Sequence, residues 1–174
     1  MNLPNKLTLL RIVMVPVYVA LLLIDFPYHT LIALGVFILA SLTDLLDGYI
    51  ARSRNLITDF GKFMDPLADK ILVLSAMICF CQLGIMPGVA VIVVIFREFA
   101  VSGMRLVAVE QGRVIAAGWS GKVKTASTMV CLCLMHLPIP APLNWVCVAV
   151  IVATTLYSGV EYFAKNRDVF KGSM

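Results

Sequence analysis

Four aspartates at the ends of two apolar stretches are the side chains in this sequence with the clearest capacity for chemistry. Asp44 and Asp47 are three residues apart near the end of one stretch, and Asp65 and Asp69 are four residues apart at the start of the next. Residues at these spacings share one helix face. We therefore expect both pairs to converge from antiparallel neighbouring helices, where four carboxylates would repel one another. Divalent cations remove that repulsion, and such oxygen ligands suit Mg²⁺ or Mn²⁺.

Small and cationic residues accompany the aspartates. Gly48 directly follows Asp47, and Gly61 lies four residues before Asp65. A glycine on a helix face lets a ligand approach the backbone closely, and Arg52 can reach a phosphate group. Acidic side chains at membrane depth are costly and indicate function by default. The simpler interpretation is a set of helix-end carboxylates that face the lipid headgroups.

The composition indicates that the elements carrying these residues lie in a membrane. Hydrophobic residues make up 61% of the 174 residues and charged residues 14%, against about 45–50% and about 25% in ordinary soluble domains. Mean hydropathy is +0.97. These values exclude a soluble globular enzyme, a disordered chain and a coiled coil. The sequence also lacks the basic face of a nucleic-acid binder, so no nucleic-acid partner is expected.

Six stretches approach the length of about 20 mostly apolar residues that a membrane-spanning helix needs. We therefore predict an all-α integral membrane protein with six transmembrane helices in a single domain, residues 1–174. The predicted spans are 7–24, 30–50, 66–83, 87–109, 123–137 and 143–163. Residues 51–65 and 110–122 form the longer polar links. Residues 1–10 read as an interfacial segment with Pro4 and Asn5 as a helix entry, and not as a cleaved signal peptide.

The distribution of basic residues orients the spans, because cytoplasmic links carry an excess of lysine and arginine. Of 14 such residues, none lies in links 25–29, 84–86 or 138–142. An even number of spans then places both termini and the aspartates at the cytoplasmic side. Arg97 lies deep in the fourth span beside Glu98. Since adjacent helix positions do not face each other, we expect each of the two to pair with another helix.

The cysteines and histidines have simpler interpretations. The five cysteines are Cys79, Cys81, Cys131, Cys133 and Cys147. The Cys-x-Cys pairs lie in apolar stretches without histidine or aspartate nearby, so we expect buried apolar residues rather than a metal or disulfide site. His29 and His136 fall near the outer face, where we expect hydrogen-bonded interfacial histidines without a chemical role.

The stretch from the first aspartate pair through the second fits a known signature. It matches the pattern D-x2-D-G-x2-A-R-x8-G-x3-D-x3-D at every fixed position, which are Asp44, Asp47, Gly48, Ala51, Arg52, Gly61, Asp65 and Asp69. This pattern resembles that of the CDP-alcohol phosphotransferase family. The resemblance implies six transmembrane helices, a homodimer and a cytoplasm-facing site for two ions of Mg²⁺ or Mn²⁺. It also implies transfer of a phosphatidyl or phosphoalcohol group from a CDP-linked donor to an acceptor hydroxyl, with release of CMP.

The resemblance implies roles for individual residues as well. Asp44, Asp47 and Asp65 would bind one metal ion, and Asp44, Asp65 and Asp69 would bind the second. Asp69 would also serve as the general base. The CDP moiety would be contacted by a set of small and polar residues, namely Asn5, Thr8, Gly48, Arg52, Thr58 and Gly61.

The opening LPNKLTLLR and a second block, REFAVSGMRLVAVEQGRVIAAGWSGKVKT, resemble bacterial family members that use CDP-diacylglycerol as donor and glycerol 3-phosphate as acceptor. This acceptor is a dianion and needs further cations. Arg105, Lys122 and Lys124 could supply them, with Arg113 a weaker candidate. The simpler interpretation is positive-inside anchoring. The implied location is the bacterial cytoplasmic membrane, which the chain crosses several times, with the active site facing the cytoplasm.

Two other functions stay open. Another member of the same family could use inositol phosphate or serine as acceptor, although a neutral or zwitterionic acceptor would not call for three cations. A metal-ion or proton transporter could use the aspartates as a pathway. Transporters usually place charged groups near the bilayer midplane, often in repeated halves, whereas these aspartates lie at the cytoplasmic boundary and the sequence shows no internal repeat.

Overall fold

A computed structural model describes residues 3–53, 59–116 and 118–170, and it describes residues 3–5, 44–53, 59–63, 65, 66, 69 and 170 by their backbone alone. The described residues form six α-helices and a short 3-10 helix, Arg167–Phe170. The α-helices are α1 (Leu3–Leu23), α2 (His29–Ser53), α3 (Asp59–Gln82), α4 (Gly88–Glu110), α5 (Trp119–Met135) and α6 (Ala141–Lys165). The predicted all-α class and the six helices are confirmed.

The helix ends differ from the predicted spans, most of all around the aspartates. α2 continues to Ser53 and α3 begins at Asp59, so most of the polar link predicted for residues 51–65 is helical. α5 likewise begins at Trp119, four residues before the predicted span. Hydropathy marks where apolar side chains stop, whereas charged residues are themselves good helix formers. The helices therefore extend beyond the apolar stretches.

Glycine and proline determine where α4 begins and ends. Pro87 precedes the helix as its N-cap in an extended conformation. At the other end, Gly112 has a φ of 71°, and its amide donates to the carbonyl of Val109 at 2.9 Å. The amide of Arg113 donates to the carbonyl of Ala108 at 2.8 Å. This pair of bonds is the Schellman ending, which a left-handed glycine permits.

The helices form two compact units. Unit 1 is Met1–Leu83 with His136–Pro138, and unit 2 is Gly84–Met135 with Ile139–Met174. In unit 1, α1 packs against both α2 and α3. In unit 2, α6 packs against both α4 and α5. Each unit therefore contains three helices, and the most extensive packing within it involves α1 in unit 1 and α6 in unit 2.

Apolar side chains cover the outer faces of the helices as well as the cores. Phe96 and Phe99 of α4 are 74% and 69% exposed, and Tyr157 and Val160 of α6 are similarly exposed. A helix that is apolar on all sides suits a lipid environment. By length and composition, α1 and α6 contain segments able to span a membrane, Lys6–Leu23 and Ala141–Lys165. The crossing of the membrane by all six helices stays a prediction.

Candidate active site

The four aspartates lie in α2 and α3, near the ends that residues 54–58 connect. Helices joined by so short a connection form an antiparallel hairpin, and α2 contacts α3. At a rise of 1.5 Å per residue, Asp47 lies about 9 Å before the end of α2 and Asp65 about 9 Å after the start of α3. Asp44 and Asp69 lie about 14 Å and about 15 Å from those ends. The two pairs therefore lie at matching levels along the hairpin.

The position of the first pair follows the buried face of α2. Ala33, Phe37 and Ala40 are fully buried, at successive steps of four and three residues. The next steps of four and three residues reach positions 44 and 47. Steps of this kind keep to one side of a helix. The backbone thus places Asp44 and Asp47 on the core-facing stripe of α2, while their side chains lie outside the described residues.

The second pair follows the buried face of α3 in the same way. Leu72, Ala76 and Cys79 are buried at steps of four and three residues. Steps of three and four residues back from Leu72 reach positions 69 and 65, whose side chains also lie outside the described part of the chain. Both pairs therefore occupy core-facing stripes of neighbouring helices. The convergence of four carboxylates stays a prediction that this register supports.

α1 brings a hydroxyl and a guanidinium group to the same end of unit 1. The rings of Tyr18 and Phe37 lie with their centroids 5.7 Å apart. Arg11 lies seven residues, or two helical turns, before Tyr18 in α1. Position 44 lies the same distance after Phe37 in α2. Thr8 lies three residues before Arg11. The side chains of Thr8 and Arg11 are 1% and 0% exposed.

Arg11 is a residue whose importance the sequence does not make plain, because an arginine near the N-terminus is expected to be one more of the cytoplasmic cations that orient the spans. A signal was nevertheless present in the sequence. Arg11 lies on the apolar stripe of α1 with Val15, Tyr18 and Leu22, at steps of four, three and four residues. A fully buried guanidinium requires compensating negative charge or hydrogen bonds. Arg11 therefore belongs to the polar end of the unit 1 core.

The other residues expected to contact CDP are placed only in part. Asn5 lies in the first turn of α1, Gly48 and Arg52 lie in the last two turns of α2, and Gly61 lies in the first turn of α3. The backbone alone is described at these four positions. Thr58 lies outside the described residues. Their assignment to CDP stays a prediction.

Unit 2 contains a largely buried charge cluster that joins its three helices. Lys124 of α5 donates to Glu98 Oε1 of α4 at 2.8 Å, and Arg97 Nη1 donates to the same oxygen at 2.8 Å. Arg97 Nη2 donates to Ser158 Oγ of α6 at 2.5 Å. The expectation that Arg97 and Glu98 do not face each other is wrong, because their long side chains bend toward each other beside the helix. The expectation that each also pairs with another helix is confirmed.

The remaining candidate acceptor residues lie nearer the ends of the helices in unit 2. Arg105 Nε donates to the Tyr162 hydroxyl at 3.1 Å, and its guanidinium carbon lies 5.5 Å from the centroid of that ring. Arg113 forms an exposed ion pair with Asp168. Lys122 is exposed, whereas Lys124 is 5% exposed. The structure therefore divides the four cations into one buried and three exposed side chains.

The histidines are hydrogen-bonded, as expected. His136 is buried and shares a hydrogen bond of 2.9 Å between its Nε2 and the Tyr18 hydroxyl. His29 Nδ1 lies 3.2 Å from the carbonyl oxygen of Leu22. The five cysteines are free thiols inside helices, and none is exposed. Among the side chains that the structure describes, no group of three or more His, Cys, Asp or Glu is placed to hold a metal ion.

Comparison with known proteins identifies the family. A family model described as CDP-alcohol phosphatidyltransferase matches residues 1–157. Because this match covers most of the 174 residues, the chain belongs to the CDP-alcohol phosphatidyltransferase family, whose members are membrane-bound. The resemblance inferred from the aspartate signature is thereby confirmed.

Individual relatives are similar over nearly the whole chain. A protein of Bacillus subtilis named CDP-diacylglycerol–glycerol-3-phosphate 3-phosphatidyltransferase is 43% identical, over 99% of this chain and 98% of its own length. A probable phosphatidylglycerophosphate synthase of Mycobacterium tuberculosis is 40% identical, over 97% of this chain and 83% of its own length. A Salmonella typhimurium protein with the same name as the Bacillus relative is 33% identical, over 95% of both chains.

Proposed function

We propose that this protein transfers the phosphatidyl group of CDP-diacylglycerol to the 1-hydroxyl of sn-glycerol 3-phosphate and releases CMP. The product, phosphatidylglycerophosphate, belongs to phosphatidylglycerol and cardiolipin synthesis. The observation that carries the proposal is the register of two aspartate pairs on the core-facing stripes of α2 and α3. The nearly full-length similarity to relatives named for this reaction supports the choice of donor and acceptor.

The four carboxylates suit divalent metal ions as ligands, and the family generally depends on such ions. Carboxylate oxygens are the ligands that Mg²⁺ and Mn²⁺ prefer. Asp44, Asp47 and Asp65 hold one ion in this proposal, and Asp44, Asp65 and Asp69 hold a second. When bound, two such ions neutralise charge on a phosphoryl group and its leaving oxygen.

The protein's own residues position the reactants and move one proton. Asp69 accepts the proton of the acceptor hydroxyl through a carboxylate oxygen. The hydroxyl oxygen then forms a bond to the phosphorus of the phosphatidyl group, and the bond from that phosphorus to CMP breaks. The CMP portion of the donor is held by the residues assigned to CDP, namely Asn5, Thr8, Gly48, Arg52, Thr58 and Gly61.

The phosphate of the acceptor is bound by cations of unit 2. Arg105, Lys122 and Lys124 carry this role in the proposal, and Arg113 contributes at the exposed end of the same unit. Arginine and lysine form charge-assisted hydrogen bonds with phosphate oxygens. Arg105 supports the assignment because it is exposed while Tyr162 holds its guanidinium from one side.

The proposed setting is the bacterial cytoplasmic membrane. All six helices span it, both termini and the active site face the cytoplasm, and two chains form a homodimer. The absence of lysine and arginine from links 25–29, 84–86 and 138–142 supports this orientation. The apolar outer faces of α4 and α6 support the lipid environment.

The deciding experiment is a panel of acceptors with purified protein in detergent, CDP-diacylglycerol and Mg²⁺. Glycerol 3-phosphate, inositol 3-phosphate, serine and water are compared by the release of CMP. We expect release with glycerol 3-phosphate alone. A faster reaction with inositol phosphate or serine would assign the protein to another branch of the family. No release with any acceptor would favour a transporter.

A further inference from the structure

The charge cluster of unit 2 contains two charged residues, Arg97 and Glu98, to which the proposed function gives no task. The side chains of Arg97, Glu98 and Lys124 are 13%, 14% and 6% exposed. Two cations share one carboxylate oxygen, with Ser158 as the fourth member. Buried charges of this kind are costly unless their geometry is well satisfied. The cluster therefore needs an explanation beyond the cytoplasmic anchoring of basic residues.

Two glycines shape the space around Arg97. A Cβ atom on Gly159 of α6 would lie 3.3 Å from Arg97 Cγ, and one on Gly121 of α5 would lie 3.7 Å from Arg97 Nη2. The first distance is tighter than ordinary van der Waals contact. The absence of a side chain at position 159 thus lets the arginine stem lie against α6 while its end group reaches Ser158. Arg97 is therefore hydrogen-bonded to α6 as well as to Glu98, and its end group lies close to Gly121 of α5.

We propose that Glu98 is a positioning residue for Lys124, and that Arg97, anchored by Ser158 and Gly159, fixes the Glu98 carboxylate in turn. This inference rests on the proposed function, in which Lys124 binds the phosphate of the acceptor. Lysine carries its ammonium group on a flexible stem with three donors. One donor bonds to Glu98 Oε1 at 2.8 Å, and that bond determines where the other two point.

Removal of the Glu98 charge leaves Lys124 and Arg97 without the negative charge that lies between them. Arg97 and Lys124 both lie 2.8 Å from the same oxygen, so without the negative charge they repel each other at short range. The lysine stem is the more flexible of the two, and Arg97 is additionally bonded to Ser158. We therefore expect the ammonium group of Lys124 to move while Arg97 stays in place.

The test is two-substrate kinetics of Glu98→Gln with CDP-diacylglycerol and glycerol 3-phosphate. We expect the KM for glycerol 3-phosphate to rise about tenfold, the lower end for loss of one charge-assisted hydrogen bond. The KM for CDP-diacylglycerol is expected to stay unchanged. Glu110→Gln is the matched control, because Glu110 lies exposed at the end of the same helix.

A double-mutant cycle separates positioning from a merely structural role. If Glu98 acts through Lys124, then Glu98→Gln adds no further increase in the acceptor KM when Lys124 is already replaced by methionine. Ser158→Ala and Gly159→Ala disturb Arg97 without changing any charge. If Glu98→Gln does not fold, the same rise in the acceptor KM is tested in these two variants. Gly103→Ala is the control for the glycine, because a Cβ atom there meets nothing within 4 Å.

Three results would overturn the inference. They are an equal rise of both KM values, no change in either, and a lower KM for glycerol 3-phosphate in Glu98→Gln. The last would mean that Glu98 only screens Lys124. A wild-type protein that releases no CMP with glycerol 3-phosphate contradicts the proposed function itself, so the two failures are distinguishable.

Discussion

At the scale of single residues, position on a helix distinguishes the aspartates proposed as metal ligands from Asp25, another acidic residue of the chain. Asp44 and Asp47 continue the buried stripe of α2, whereas Asp25 is fully exposed in the connection before that helix. A carboxylate on a core-facing stripe is costly to bury without a partner. An aspartate on the core-facing stripe of α2 therefore needs a positively charged partner, whereas an aspartate in the exposed connection does not.

Replacement of Asp44, Asp47 or Asp65 by alanine is expected to remove nearly all turnover, because each change deletes a proposed metal ligand. The protein should still insert, since loss of a carboxylate lowers the cost of burial in the membrane. CMP release per amount of folded protein is the measurement, with Asp25→Ala as the matched control. A near-normal rate for any of the three variants would count against the metal assignment.

Asp69 should behave differently from Asp44, Asp47 and Asp65, because we propose a second task for it as general base. Asp69→Asn keeps the size and one oxygen of the side chain but cannot accept the proton of the acceptor. We expect kcat to fall by roughly 10²–10⁴-fold, the usual contribution of a general base, with a much smaller change in CDP-diacylglycerol binding. Steady-state kcat and donor affinity are measured side by side. Loss of donor binding with an intact kcat would contradict the role.

At the scale of helices, Arg105 of α4 lies where α4 contacts α6. The Tyr162 hydroxyl and ring hold the guanidinium on one side. Arg105→Ala should raise the KM for glycerol 3-phosphate by roughly 10- to 150-fold, the equivalent of about 1.5–3 kcal/mol. Arg167→Ala, which removes an exposed arginine of the same unit, should have no such effect. If Arg105→Ala weakens the donor and spares the acceptor, the acceptor assignment is wrong.

The sequence was sufficient to predict the number and type of the helices, because long apolar stretches determine both. It could not predict the ends of α2, α3 and α5, since charged residues continue a helix beyond its apolar part. It could not predict the pairing of Arg97 with Glu98 either. Long side chains bridge positions that the helix itself turns apart, and only packing against α5 and α6 determines where they go.

Arg11 is a second example of a side chain whose location the sequence could not predict. Hydropathy and charge assign it to the cytoplasmic cations, yet its side chain is fully buried. The spacing from Thr8 through Leu22 was visible, but a stripe interrupted by polar residues is a weak apolar pattern. The family signature, by contrast, is recognised from residue types and spacing alone, so the aspartates could be proposed as metal ligands without any structure.

At the scale of the whole molecule, the proposed metal site links activity to stability. Excess EDTA should abolish CMP release, and Mg²⁺ or Mn²⁺ should restore it. Mg²⁺ should also raise the Tm of the wild-type protein in detergent, because a ligand that binds the folded state alone stabilises it by about 2.7 kcal/mol at 100 times its Kd. Asp44→Ala should lose the shift in Tm. Full activity in excess EDTA would contradict the metal requirement.

The placement of the five cysteines has a practical consequence for mapping the topology. All five lie within helices and none is exposed, whereas a water-soluble maleimide reacts with a thiolate in contact with water. The native chain therefore offers a low background for labelling in intact vesicles, with no need to replace its own thiols. Tyr28→Cys and Val114→Cys each place a thiol at an exposed position in a connection between helices. The compartment from which each is labelled reports on which side of the bilayer that connection lies.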